Sequence, residues 1–144
     1  MRVKKSKLQK RIEDVGSRLW RNKCDKIWRE LVFAQEGKKC AICGDTEFLN
    51  AHHLIPRELL VYRHDLRNSV LLCPIHHKYG FLLSAHRNPV RFMLWLMRTR
   101  PVTWKWLSET FDPAVGVNLG DGHPSVNYKE TFEALSKLNS SGDS

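Results

Sequence analysis

Between Cys40 and His77 the chain places Cys40-x-x-Cys43, Ala51-His52-His53, Asn68 and Cys73-x-x-His76-His77. Thiolates and imidazoles in short-spaced pairs are zinc ligands, and two such pairs complete a tetrahedron with no open position. Cys40 and Cys43 supply one half of that tetrahedron, and Cys73 with His76 the other. The centre they form would be structural. His52, His53, Asn68 and His77 are then left over. Neighbouring residues on a strand face opposite sides, so His52 and His53 can share one metal only if the strand ends there, as the nearby Pro56 suggests, and neighbours on a helix diverge by about 100°. One histidine of the His76-His77 pair can therefore reach the zinc while the other looks into a separate site. A histidine from the strand and one from the helix would make a second metal position, partly open for water and a phosphate oxygen, as hydrolysis needs.

The elements around these residues follow from periodicity and punctuation. Residues 1–10 read as a mobile basic arm. Apolar positions recur at helical spacing from Ile12 to Phe33, with a break expected near Asn22–Cys24 and a stop at Gly37. Lys39 to Glu47 is a Cys knuckle turning at Gly44. Strands are expected over Phe48–Leu54 and Asn68–Leu72, joined by a polar, Arg-rich connection over 57–67. Pro74 in the first turn marks a helix running to about Ser84. Asn88-Pro89 opens the next helix, through Met97, and Pro101 separates it from another over 103–110. Residues 112–127 form a loop, Tyr128–Leu138 a final amphipathic helix, and Asn139 onward a disordered tail.

At 144 residues the chain suits one domain with appended arms. The formal charge of +9 is lopsided: residues 1–29 hold eleven Lys/Arg against three Asp/Glu. Such a block suits a polyanion such as nucleic acid, since neutralising phosphates releases counterions; a solvated helix face is the plainer alternative. Two disulfides in a secreted protein are the rival use of the four cysteines. Their spacing, with seven histidines present, favours metal thiolates in a reducing cytoplasm. There is neither a long apolar run for a membrane span nor an apolar segment behind the Lys-rich start for a secretory signal.

Ala51-His52-His53-Leu54-Ile55-Pro56, followed by Arg67-Asn68-Ser69-Val70-Leu71-Leu72-Cys73-Pro74-Ile75-His76-His77, resembles the HNH endonucleases, also called ββα-metal or His-Me finger nucleases. More narrowly, it is similar to their zinc-ribbon-containing phage and prokaryotic members. The resemblance covers about residues 38–84. It implies that His53 is the general base, that Asn68 holds the loop positioning it, and that His52 and His77 are ligands of a catalytic divalent cation, Mg²⁺ or Mn²⁺ among others. It also implies that Cys40, Cys43, Cys73 and His76 hold structural zinc. The departure is His76, where the commoner pattern has a fourth Cys; exchanging His76 with His77 would move the catalytic ligand by one residue.

The expected fold is therefore α+β: a ββα-metal core with a zinc knuckle over 38–87, a basic N-terminal arm and helix over 1–37, C-terminal helices over 88–138 and a tail over 139–144. The expected activity is metal-dependent hydrolysis of DNA phosphodiester bonds, with double-stranded DNA as partner. A zinc-stabilised DNA-binding module without catalysis would leave His53 and Asn68 idle. An HNH-type nuclease acting on RNA would differ only in substrate. Lys4, Lys5, Lys7, Arg57, Arg67, Lys78 and Arg87 are candidate phosphate contacts, as are Arg63 and His86 beside the motif. Trp95, Trp104 and Trp106 could stack on bases, but their helical spacing favours core packing.

Overall fold

The computed structural model describes residues 4–111 and 126–142. Its elements in chain order are α1 (Lys7–Glu13), α2 (Arg18–Gln35), β1 (Asn50–His52), β2 (Val70–Leu72), a π-helical turn (Ile75–Tyr79), α3 (Pro89–Thr99), α4 (Pro101–Phe111) and α5 (Tyr128–Ser141). Helices plus one small antiparallel sheet make the class α+β. Among the described residues no helix is long and apolar enough to cross a membrane.

The arm expected over residues 1–10 is already helical from Lys7. Ser6 starts it with a capping box: its side chain accepts from the Gln9 N–H, and the Gln9 side chain accepts from the Ser6 N–H. The break expected near Asn22–Cys24 lies instead at Asp14–Ser17, where the Asp14 carboxylate accepts from the Gly16 N–H and turns the chain. Positions 22–24 sit inside α2. The buried face of α2 carries Trp20, Cys24, Ile27, Trp28 and Val32, the spacing of a single helical stripe. That stripe packs on α5 and on the sheet. Gly37 ends α2 in the left-handed region (φ 67°), as its sequence position implied.

The strands are three residues each, shorter than expected. Phe48 adopts φ 50°, which no strand residue can hold, so β1 begins only at Asn50. The register pairs Asn50 with Leu72, Ala51 with Leu71 and His52 with Val70. Val70, Leu71 and Leu72 are fully buried and form the floor of the core. The Cys knuckle docks on this floor through the Ala41 N–H to the Leu71 carbonyl, 2.9 Å.

The helix expected from Pro74 to Ser84 is a single π turn. The Gly80 N–H reaches back to the Ile75 carbonyl at 2.7 Å, and the chain then reverses. A Cβ on Gly80 would meet that carbonyl at 2.9 Å, so the close approach requires glycine. Asn88 caps α3 by accepting from the Arg91 N–H, with Pro89 in its first turn. Arg100, between α3 and α4, forms a bidentate ion pair with buried Glu36 at 2.7 and 2.6 Å, tying that corner to the end of α2. α5 continues to Ser141, past the expected end at Leu138, so Asn139–Ser141 are helical rather than tail. The loop expected over 112–127 falls mostly outside the described residues; within it, Asn127 caps α5.

Candidate active site

The sulfur-rich cluster assembles from three segments. Cys40 and Cys43 stand in the knuckle, which is closed by the Gly44 N–H on the Cys40 carbonyl, with Gly44 at φ 78°. Cys73 leaves the end of β2, and His76 lies in the π turn. The four ligand atoms lie within 4.8 Å of one another. The Sγ atoms of Cys43 and Cys73 are 3.8 Å apart, far beyond a disulfide bond of about 2.04 Å. A tetrahedron with Zn–S near 2.3 Å and Zn–N near 2.1 Å has edges of about 3.8 Å between sulfurs and about 3.6 Å between sulfur and nitrogen. The observed distances from His76 Nδ1 to Cys40 and Cys73 are 3.7 and 3.2 Å. This donor set fits zinc. Cys24 is elsewhere, buried in α2 with its thiol donating to the Tyr128 carbonyl at 3.1 Å.

A second cluster lies on the far side of the π turn. His52, at the end of β1, and His77 are joined by His86, with one nitrogen from each within 4.8 Å of the others. His77 and His86 approach to 3.2 Å between their Nε2 atoms. Nitrogens sharing one cation at about 2.1 Å stand about 3.0–3.4 Å apart, the separation that His77 and His86 already have. Reversal of the chain after Gly80 brings His86 there. The Ala85 and His86 N–H groups pair with the His76 and His77 carbonyls at 2.8 and 3.0 Å. Phe92 of α3 packs edge-on against His52 at 5.9 Å. Burial, reinforced by the other histidines, pushes His52 down to about 3. Burial, with His86 and Lys78, pushes His77 down to about 4. Both rings are thus neutral at pH 7, the form a metal requires.

His52 and His53 diverge, with β1 ending at His52. His53 lies outside the second cluster. Its ring stacks on Trp28 of α2 at 4.1 Å and 9°, and its Nε2 is 2.9 Å from the Arg63 carbonyl. A carbonyl only accepts, so Nε2 carries the proton and Nδ1 keeps the lone pair. Burial lowers the His53 pKa, opposed by the bond to Arg63. His52, His53, His77, His86, Arg57 and Lys78 all line one open cleft of about 620 Å³.

Asn68 is fully buried and braces the loop after His53. Its Oδ1 accepts from the Ile55 N–H at 2.6 Å, and its Nδ2 donates to the Ile55 and Tyr62 carbonyls at 3.1 and 3.0 Å. Asp25, one acid in a basic helix, has no local pattern that marks it. Its carboxylate takes two bonds from Arg63, each 2.8 Å, and one of 2.7 Å from His64. Burial opposes its ionisation, but those donors hold its carboxyl well below the usual range.

The candidate phosphate contacts are scattered. Arg57 is exposed at the cleft and also lines a smaller neighbouring hollow with Arg29 and Arg63. Lys78 borders the cleft. Arg63 is committed to Asp25. Arg67 pairs with Asp65 at 2.7 Å and lies over Trp106. Arg87 covers the Phe81 ring at 3.8 Å. Lys4, Lys5 and Lys7 are exposed at the start of the chain, Lys5 paired with Glu13. Trp95, Trp104 and Trp106 are half-buried, short of the full core packing their spacing implied.

No curated protein and no solved structure matches the chain. Residues 40–79 match the model of the HNH endonuclease family, a stretch that takes in both clusters except His86, and the members of that family are generally nucleases.

Proposed function

We propose that the protein is a metal-dependent endonuclease that hydrolyses phosphodiester bonds of double-stranded DNA. β1, β2 and the π turn would serve as its ββα-metal core. The observation that carries this is the convergence of nitrogens from His52, His77 and His86 on a cleft whose wall also holds His53. A divalent cation held by those three nitrogens would polarise the scissile phosphate and stabilise charge on the leaving oxygen. An all-imidazole donor set suits Mn²⁺ or a later first-row ion better than Mg²⁺, which prefers oxygen ligands.

The chain's own residues do the remaining work. His53, its Nε2 proton held by the Arg63 carbonyl, offers Nδ1 to take a proton from the attacking water. Asn68 keeps the His53–Tyr62 loop in one shape by its three bonds. Cys40, Cys43, Cys73 and His76, closed around zinc, fix the knuckle to β2 and to the base of the π turn, a use of thiolates that suits a reducing cytoplasm. Arg57 and Lys78 at the cleft, with the basic block over residues 1–29, supply the charge for a phosphate backbone.

Supercoiled plasmid incubated with zinc-loaded protein and Mn²⁺ tests this reading. Conversion to nicked or linear forms, abolished by a chelator, is expected. Retarded but uncut DNA at every cation tried would leave a binding module and contradict the proposal.

A further inference from the structure

We propose that Asp25, on the N-terminal basic helix, is a positioning residue for His53, acting through Arg63. This rests on the reading of His53 as the base. The chain of contacts is continuous. Asp25 receives both arms of the Arg63 guanidinium at 2.8 Å, and His64 donates to the same carboxylate at 2.7 Å. The Arg63 side chain is 13% exposed and that of His64 4%, while the Asp25 side chain, 35% exposed, closes the cluster from its outer edge. Arg63 also donates to the Arg57 carbonyl at 3.3 Å, clamping the polar connection. With its side chain fixed, Arg63 presents its carbonyl to His53 Nε2 at 2.9 Å.

A second contact comes from the same helix. Trp28, nearly one turn after Asp25, lies flat on the His53 ring at 4.1 Å. Its indole N–H donates to the Asp65 carbonyl at 3.2 Å, two residues beyond Arg63. α2 therefore fixes the ring plane through Trp28 and the ring tautomer through Asp25 and Arg63. A hydrogen bond to a backbone carbonyl selects which imidazole nitrogen carries the proton, and so which one can act as a base. A charge-assisted fork of this kind is geometrically specific, and an amide at position 25 cannot reproduce it.

The consequence is that the basic helix completes the site instead of only attracting a polyanion. Asp25 is one of three acidic residues among the first 29, and its carboxylate is engaged by Arg63 and His64.

The test compares zinc-loaded wild type with Asp25→Asn. Ring ¹⁵N shifts of His53 report its tautomer, and single-turnover cleavage of plasmid with Mn²⁺ separates rate from substrate affinity. The wild type should show one Nε2–H tautomer. Asp25→Asn should show a mixture, with the cleavage rate down at least tenfold and half-saturating DNA unchanged. Asp25→Glu should restore part of both. If Asp25→Asn does not fold, Arg63→Lys, which keeps the charge pair but loses the fork, is measured instead with the same expectation. A folded variant with the wild-type tautomer and rate overturns the proposal. A scrambled tautomer in a protein whose wild type never cuts supports the positioning role and sinks the nuclease reading separately.

Discussion

Replacing His86 with Ala should weaken binding of a divalent cation at the histidine cluster by about 100-fold while leaving the fold and the sulfur-bound zinc in place. His86 supplies one of three nitrogens, and its Nε2 stands 3.2 Å from that of His77, the separation of two ligands on one ion. Loss of a residue that only supports a ligand costs about 10–100-fold in affinity, so loss of a ligand itself should reach the upper end, about 2.7 kcal/mol. The side chain is exposed, and its backbone N–H to the His77 carbonyl survives substitution, so the damage stays local. Cobalt titration into zinc-loaded protein, followed by visible absorbance and calorimetry, reads this directly. The wild type should take one equivalent beyond its zinc. Equal affinity in wild type and His86→Ala would refute the three-histidine site.

Proton release is a second measure of the same site. At pH 6 three ordinary imidazoles, each about three-quarters protonated, would release more than two protons on binding a cation. Burial lowers His52 and His77 to about 3 and 4, so neither has a proton to give, and calorimetry in buffers of different ionisation enthalpy should find no more than about one; more than two would contradict the burial argument. Asn68→Ala strands the buried Ile55 N–H and two carbonyls and should cost about 3 kcal/mol in urea denaturation, with less than about 1 kcal/mol contradicting its bracing role. Arg57→Ala should make DNA affinity less steep in log salt by about one unit, and an unchanged slope would remove Arg57 from the phosphate path.

The clustering of Cys40, Cys43, Cys73 and His76 was legible because such spacing is local: Cys-x-x-Cys and Cys-x-x-His need only a turn each. Strand alternation left the facing of His52 and His53 open, since the strand could end between them, and β1 does end at His52. The meeting of His86 with His52 and His77 was not legible. A helix continued from Pro74 to Ser84 carries the chain away from His77, and nine residues of helix span about 13 Å. The reversal rests on Gly80, whose lack of a side chain admits the close approach to Ile75, and only tertiary pairing with residues 76–77 reveals it. Asp25 was hidden for a related reason. It is one acid in a basic helix, and its partners Arg63 and His64 lie 38 and 39 residues away. The strands were overextended because Phe48 is apolar and aromatic, a strand former by composition, yet it occupies a left-handed turn and is exposed.

The most direct test of the central claim is single-turnover cleavage by His53→Ala with metal content measured in the same sample. The prediction is a protein that keeps its zinc, binds the second cation as the wild type does and still retards DNA, with the cleavage rate reduced at least 100-fold by loss of the base. Wild-type cleavage by that variant, with both metals present, would contradict the assignment of His53 and with it the proposed chemistry of the cleft.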